Sequence, residues 1–425
     1  MRPVGGPLLV AISSLLVFGV FCASSPAWAA DVDTTAAESA DMSSVGKIGQ
    51  LEEKLRRART RDALYREATD IYADYSKLKA RVEKETGLYW SMDVSYLQQW
   101  GRPDGGSPAG QLLAFPNVDW KLFNSKSVGE GSVQLAYSAT RYLTSHDGEE
   151  VQNALGLITP INDYPARSNI FSQLTYTHSL PGNRLLISAG QYSFFNFDDN
   201  AYLNNQQRSF INYVFSQNGS ETYPNAGLGA FAQLNATTTL QFAAGFQNAA
   251  NISGATLSGK GFGDNGFAWF GYAQWTPTFH GTGSAQYSMT YYQVPTVPSQ
   301  PRTSGWSVNA VQNLDARWAV FARANRAYDH VTPIRSSYAL GFAINDPFAR
   351  SPTDQIALAF GYSDAAPPPT NPPNARNEKL AEIYWNWTFA KGLLLTPDVQ
   401  YIRDPALNPT RDSVWVLTLR ATLMF

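Results

Sequence analysis

Residues 412–425 read Asp-Ser-Val-Trp-Val-Leu-Thr-Leu-Arg-Ala-Thr-Leu-Met-Phe, and that stretch decides the fold. Ser413, Trp415, Leu417, Leu419, Ala421, Leu423 and Phe425 form one alternating face, mostly apolar. Val414, Val416, Thr418, Arg420, Thr422 and Met424 form the other. Alternate residues of a strand point to opposite sides of the sheet, so the run is a strand with two unlike faces. The first set suits lipid and the second suits a lumen. Similar alternation recurs upstream, with Leu240, Phe242, Ala244 and Phe246 against Gln241 and Gln247. It recurs again with Tyr287, Met289 and Tyr291 against Gln286, Ser288 and Thr290, and with Ile356, Leu358 and Phe360 against Ala357 and Ala359.

Counted back from this end, Leu88–Phe425 reads as about sixteen short strands, and their connections differ by parity. Those after even strands are tight, near 125–130, 181–183, 236, 280–282, 315–317, 350–353 and 391–392. Those after odd strands are long: 101–110, 144–168, 193–224, 250–265, 295–302, 366–376 and 405–411. A soluble β-sandwich alternates too, but nothing in it separates loops by parity. A bacterial outer-membrane barrel does, with short periplasmic turns and long external loops. The expected fold is therefore all-β, a transmembrane antiparallel up-and-down barrel over 88–425. Sixteen strands leave an aqueous channel where eight would fill with side chains, so passive solute passage is the default function. The first strand, near Leu88–Trp100, should pair with the last, because an open sheet edge in lipid leaves backbone groups unpaired.

The N-terminus sets the compartment. Arg2, the apolar run Pro7–Ala23 and Ala27-Trp28-Ala29 have the layout of a signal peptide, with cleavage expected after about Ala29. Phe21 before Cys22 excludes a lipoprotein site. Cys22 is the only cysteine, so the mature chain should hold neither a disulfide nor a thiolate metal site. Mean hydropathy is -0.26, and no segment after the signal reaches the ~18 consecutive apolar residues of a membrane helix. The 22 Tyr and 11 Trp suit interfacial girdles. A net charge of -2 gives no nucleic-acid footprint. His146, His178, His280 and His330 are scattered without ligand spacing, and no nucleophile elbow or phosphate-binding loop is present. The chain therefore reads as no enzyme, without cofactor or metal.

Between signal and barrel lie two further segments. Residues 30–44 are small and polar, a flexible lead. Residues 45–86 are charge-dense and helical in pattern. Leu64, Ala68, Ile71, Tyr75, Leu78 and Val82 step as a heptad seam, and Ile48, Leu51, Leu55 and Ala58 form a stub out of phase with it. Three readings are open for this segment: a solvated helix, a periplasmic coiled coil that forms a homo-oligomer or meets the cell wall, and a helix tucked into the barrel mouth.

Candidate lumen residues follow from strand phase and loop length. Asp119 and Lys121, Arg323, Glu382, Asp398 and Gln400, and Arg420 all fall on inward positions. Charges there set selectivity. The longest loop, 193–224, is the third external one and is expected to fold inward. It carries Asp198, Asp199 and Arg208 among many amides, and Phe194, Phe195, Phe197, Tyr202 and Phe210, whose faces could stack on sugar rings.

Several stretches resemble one family. Leu394–Ile402, with Pro397-Asp398-Val399-Gln400-Tyr401, then Asp404-Pro405, Asn408-Pro409 and a final strand ending in Phe, look like the closing hairpin of carbohydrate-selective (OprB-like) porins. Phe321-Ala322-Arg323 and the hairpin Thr175–Gly190 are similar to other parts of it, although Gln191 stands where a basic residue is expected. The resemblance spans roughly residues 85–425 and implies a 16-stranded barrel passing monosaccharides. Its implied partners are outer-membrane lipid, small sugars and the barrel assembly machinery, which would read the strand ending at Phe425. Rival functions are polysaccharide export, uptake of organic acids, and a structural envelope role acting through the N-terminal helix.

Overall fold

The computed structural model describes residues 50–425 except 67–69, 260 and 330. The signal peptide and lead expected over 1–44 lie outside these residues, as do Ile48, Ala68 and His330. Two helices come first, α1 (Gln50–Tyr65) and α2 (Ile71–Thr86). Strands follow as β1 (Leu88–Arg102), β2 (Ala109–Ser125), β3 (Gly129–Tyr142), β4 (Ser168–Ser179), β5 (Leu185–Tyr192) and β6 (Gly227–Asn235). Next are β7 (Leu240–Asn248), β8 (Phe267–Trp275), β9 (Thr278–Phe279), β10 (Gly283–Val294), β11 (Thr303–Asn313) and β12 (Trp318–Ala327). The last are β13 (Ile334–Asn345), β14 (Gln355–Ala365), β15 (Glu378–Ala390), β16 (Leu393–Arg403) and β17 (Ser413–Met424).

Every strand pairs antiparallel with its neighbours in sequence, save β8 and β9 with each other, and β17 returns to β1 from Asp93↔Met424 to Arg102↔Trp415. Met92 and Phe425 exchange backbone hydrogen bonds of 3.1 and 2.8 Å at the seam. β8 and the two-residue β9 both pair with β10, so they are one stave interrupted at Thr276-Pro277. The barrel is thus closed and sixteen-stranded. Closure is what lipid demands, since each unpaired backbone group there costs several kcal/mol.

Loop parity holds. One end carries 103–108, 143–167, 193–226, 249–266, 295–302, 366–377 and 404–412, and also the shorter 328–333. The other end carries turns such as 126–128, 180–184 and 391–392. Phase holds too. On β17, Trp415, Leu417, Leu419 and Leu423 are exposed, while Val414, Val416, Thr418, Arg420 and Thr422 are buried within the barrel. Trp120, Trp275 and Trp318 project outward near the short-turn end, and Trp269, Tyr338 and Trp415 near the long-loop end. These are the two aromatic girdles flanking an apolar band.

The helices depart from a periplasmic coiled coil. α1 lies inside the barrel, with Leu51, Leu55 and Ala58 buried against Tyr89 and Ala136, which are inward residues of β1 and β3. α2 crosses the short-turn end. It is capped by Asp70, which accepts from the Ala73 N–H at 2.9 Å, and by Gly87 in the left-handed region. A Cβ on Gly87 would stand 2.1 Å from the Lys121 carbonyl, so only glycine lets the chain swing from α2 into β1. Tyr72 donates to the Met424 carbonyl, and its ring sits over Gly392 of the β15–β16 turn. α2 buries Ala73, Ser76 and Lys79 rather than the heptad seam, leaving Ile71 and Leu78 exposed. The physical reason is charge. Lys79 and Arg59 find carboxylates on α1, α2 and the inner wall, which the apolar seam cannot offer.

Candidate functional site: the constriction inside the barrel

Two external loops fold into the lumen and meet α1 there. The third loop (193–226) enters through its aromatics. Phe194 and Phe197 form a 3-10 turn, and their rings lie 4.8 and 4.4 Å from that of Phe270 on the inner wall. Tyr202 stacks on Phe321 at 5.3 Å, and Phe210 meets Tyr384 edge-on at 4.8 Å. Phe194, Phe197, Tyr202 and Phe210 are all buried, so they anchor the loop and are not free to stack on a solute. The expected inward fold of this loop is present. The expected use of these rings is not, because inner-wall aromatics already occupy their faces.

Four of the ten candidate polar residues, Arg323, Glu382, Gln400 and Arg420, are posts under the loops. Arg323 donates Nε to Asn309 Oδ1 at 2.8 Å, Nη1 to the Gln217 carbonyl at 2.6 Å, and Nη2 to the carbonyls of Asp198 and Leu203. Arg420 donates Nη1 to the carbonyls of Gln206 and Ser209, and Nη2 to Asn386 Oδ1 at 3.0 Å. Glu382 accepts the backbone N–H groups of Ile211 and Asn212. Gln400 accepts from the Asn212 amide and donates to the Ile161 carbonyl, both at 3.0 Å. Asp198 accepts from Asn218 at 2.7 Å and Tyr223 at 3.1 Å. Asp398 is buried on the same inward face of β16. Asp119 accepts from Arg59 of α1 at 2.9 Å. Lys121 lies at the short-turn rim, half-exposed and 3.7 Å from Glu130, away from the constriction. Of the ten candidates, only Asp199 and Arg208 are half-buried, and Arg208 borders the passage.

Strand phase could not have found the second loop (143–167). Glu378 of β15 accepts the N–H groups of Ile158 and Thr159 at 2.9 and 3.1 Å and pins that loop inward. Nor did it find α1. Arg57 of α1 donates to the Ala201 carbonyl of the third loop at 2.9 Å, and Arg208 pairs with Asp93 at 2.8 and 2.7 Å. Above this meeting lies a vestibule of about 530 Å3, bordered by Lys54, Phe115, Asn117, Asp163, Asn205 and Glu221. Below it lies a chamber of about 140 Å3, bordered by Arg56, Arg57, Arg61, Arg208, Asn345 and Asn386. The sequence signal for α1 was the arginine run Arg56, Arg57, Arg59 and Arg61 beside the out-of-phase apolar stub.

A barrel with a loop-and-helix constriction is a channel architecture, and the comparisons agree. The family model described as carbohydrate-selective porin, OprB family, matches residues 131–425. The chain belongs to the carbohydrate-selective porin family. It is 37% identical over 356 residues to Porin AaxA of Chlamydia abortus, covering 81% of this chain and 79% of that one. It is 33% identical over 359 residues to Porin AaxA of Chlamydia pneumoniae, covering 82% of each. Among solved structures, the high-pH structure of Pseudomonas putida OprB superposes with a TM-score of 0.67 at 16% identity, over 84% of this chain and 98% of that one. That likeness shows the same fold. The protein is an outer-membrane porin with a preference for sugars, and its family and fold are those of a channel.

Lys54, Asp163 and Glu221 border this porin's vestibule, and Asp199 lies within electrostatic reach of Lys54. Burial pushes the Lys54 ammonium down to about 7. Burial likewise pushes the carboxyls of Asp163, Asp199 and Glu221 up to about 7. In contrast, Arg57 and Arg56 hold Glu53 down at about 2 against its burial.

Two outcomes follow. Arg420→Met orphans two buried loop carbonyls at about 1–3 kcal/mol each, so single-channel conductance should rise and become noisier. The lipid-facing Leu419→Met should leave it unchanged, and an unaltered Arg420→Met channel would contradict the post role. Between about pH 6 and about pH 8, Lys54 loses its positive charge while Asp163, Asp199 and Glu221 gain negative ones. The reversal potential in a KCl gradient should therefore move toward potassium preference as pH rises, and Asp199→Asn should reduce the movement.

Proposed function

We propose that sugars are selected where α1 and the third loop meet, between the vestibule and the chamber. The observation that supports this is that the charges on both sides of the narrowing, on α1 and on the third loop, are held in place. Arg57 is held by Glu53 and the Ala201 carbonyl, and Arg208 by Asp93. A neutral solute there meets donors and acceptors fixed in place, with amides of Asn204, Asn205 and Asn386 beside them. Hydroxyl groups can exchange hydrogen bonds with such a lining at little cost, whereas an apolar solute would strand it. Fixed partners also keep each contact weak, so a solute that enters can leave. The passage from a wide vestibule to a small chamber favours a monosaccharide over a disaccharide.

Assembly follows from the ends of the barrel. The strand closing on β1 ends in Phe425, which supports recognition by the barrel assembly machinery. The exposed Ile71 and Leu78 of α2 support a homo-oligomeric contact at the short-turn end.

Swelling of liposomes that carry the refolded full-length porin tests the selection step. Glucose should enter several-fold faster than sucrose, and equal rates for the two would remove the case for a size filter at the α1 contact.

A further inference from the structure

The chamber below the constriction carries an unbalanced charge that passage of neutral sugar does not use. Glu53 is shared by two guanidinium groups, Arg56 at 2.8 Å and Arg57 at 2.6 Å. Asp62 is likewise shared, by Arg61 at 3.0 Å and Lys79 at 2.5 Å. Glu53 therefore leaves one guanidinium charge uncompensated at the chamber, and Arg61 shares Asp62 with Lys79, which does not border the chamber. Arg208 and Asp93 cancel. Asp354, the wall carboxylate beside the chamber, is taken by Arg350 at 2.8 and 2.6 Å and by the Thr388 N–H. On the opposite face of α1 the balance is reversed, with Arg59 divided between Glu83 and Asp119. α1 is thus electrically polarised across its width, with its positive face toward the chamber.

A second observation points to a ligand. Arg61 borders the chamber and is only 2% exposed, yet its Nη1 has no hydrogen-bond partner among the described residues. A buried guanidinium N–H without an acceptor is costly. An oxyanion in the chamber that draws the Arg61 side chain toward it would satisfy it, and guanidinium groups match carboxylate geometry well. Beside these cations stand Thr60, Asn345, Gln355 and Asn386, which suit hydroxyl groups.

We propose that this chamber is an anion subsite for sugar acids, solutes carrying one carboxylate on a polyhydroxylated body, with Arg56, Arg57 and Arg61 facing the carboxylate. The inference rests on the sugar-porin reading and extends its solutes from neutral sugars to uronates and aldonates. The surplus charge draws the carboxylate past the constriction, and the partner carboxylates Glu53 and Asp62 keep the attraction weak enough for release.

The test uses the full-length porin in liposomes and planar bilayers at about pH 6, where glucuronate is ionised and the vestibule carboxyls are mostly neutral. Thr60 borders the chamber, and Thr60→Glu and Thr60→Gln add side chains of equal size that differ in charge. Glucuronate should enter wild-type liposomes at a rate comparable to glucose. Thr60→Glu should lower the glucuronate-to-glucose ratio about ten-fold relative to Thr60→Gln, as a like charge a few ångströms away demands. Equal ratios in the two variants would overturn the subsite. Exclusion of glucuronate by a wild-type channel that admits glucose would also overturn it and leave the sugar reading standing. Failure of both solutes to enter would overturn the two together.

Discussion

Hydrocarbon offers no hydrogen bonds, and that one constraint organises the whole molecule. A sheet placed in it must close on itself, and here the antiparallel pairing of β1 with β17 does so down to the exchange between Met92 and Phe425. Closure fixes which side chains point outward and which inward, because neighbours alternate along every stave. Outward positions take Leu, Phe and Trp. Inward positions are then left facing a space too wide for them to fill, and the rest of the structure is the way this chain fills it.

The filling comes from three insertions held by inward-pointing polar residues. Glu378, Glu382, Gln400, Arg323 and Arg420 each bind loop backbone or loop amides. A loop entering a pore brings unpaired carbonyl and N–H groups with it, and a rigid wall is the place to satisfy them. α1 enters by a different route. A narrow apolar face meets Tyr89 and Ala136, and its charged side chains pair with one another and with Asp119. The resulting gap is small because loop and helix fill the lumen from opposite sides.

Much of this could be read from the sequence. The last strand, the parity of the loops and the inward fold of the 193–224 insertion were legible because they follow from period two and from what lipid permits. The roles of Arg323, Glu382 and Arg420 were not. Strand phase says that a side chain points into the lumen, and it is silent on whether a loop from elsewhere in the chain will be there to meet it. The aromatics of the third loop misled for the same reason, since Phe197 stacks on Phe270, 73 residues further along the chain. For α1 the solvated helix, the coiled coil and the helix tucked into the barrel mouth all stayed open, because a helix lined with arginines looks alike whether its partners are water or the carboxylates of a barrel wall.

The central claim is that α1 occupies the lumen against β1 and β3. Lys54→Cys on α1 and Phe115→Cys on the β2 wall place thiols side by side at the border of the vestibule, within reach of a reagent from solution, in a chain whose single native cysteine is removed by Cys22→Ser. A short bismaleimide applied to the folded porin should link the two intramolecularly, with the link absent when either thiol is missing. No link in a folded, conducting barrel, together with cleavage of α1 by protease added on the short-turn side, would contradict the account.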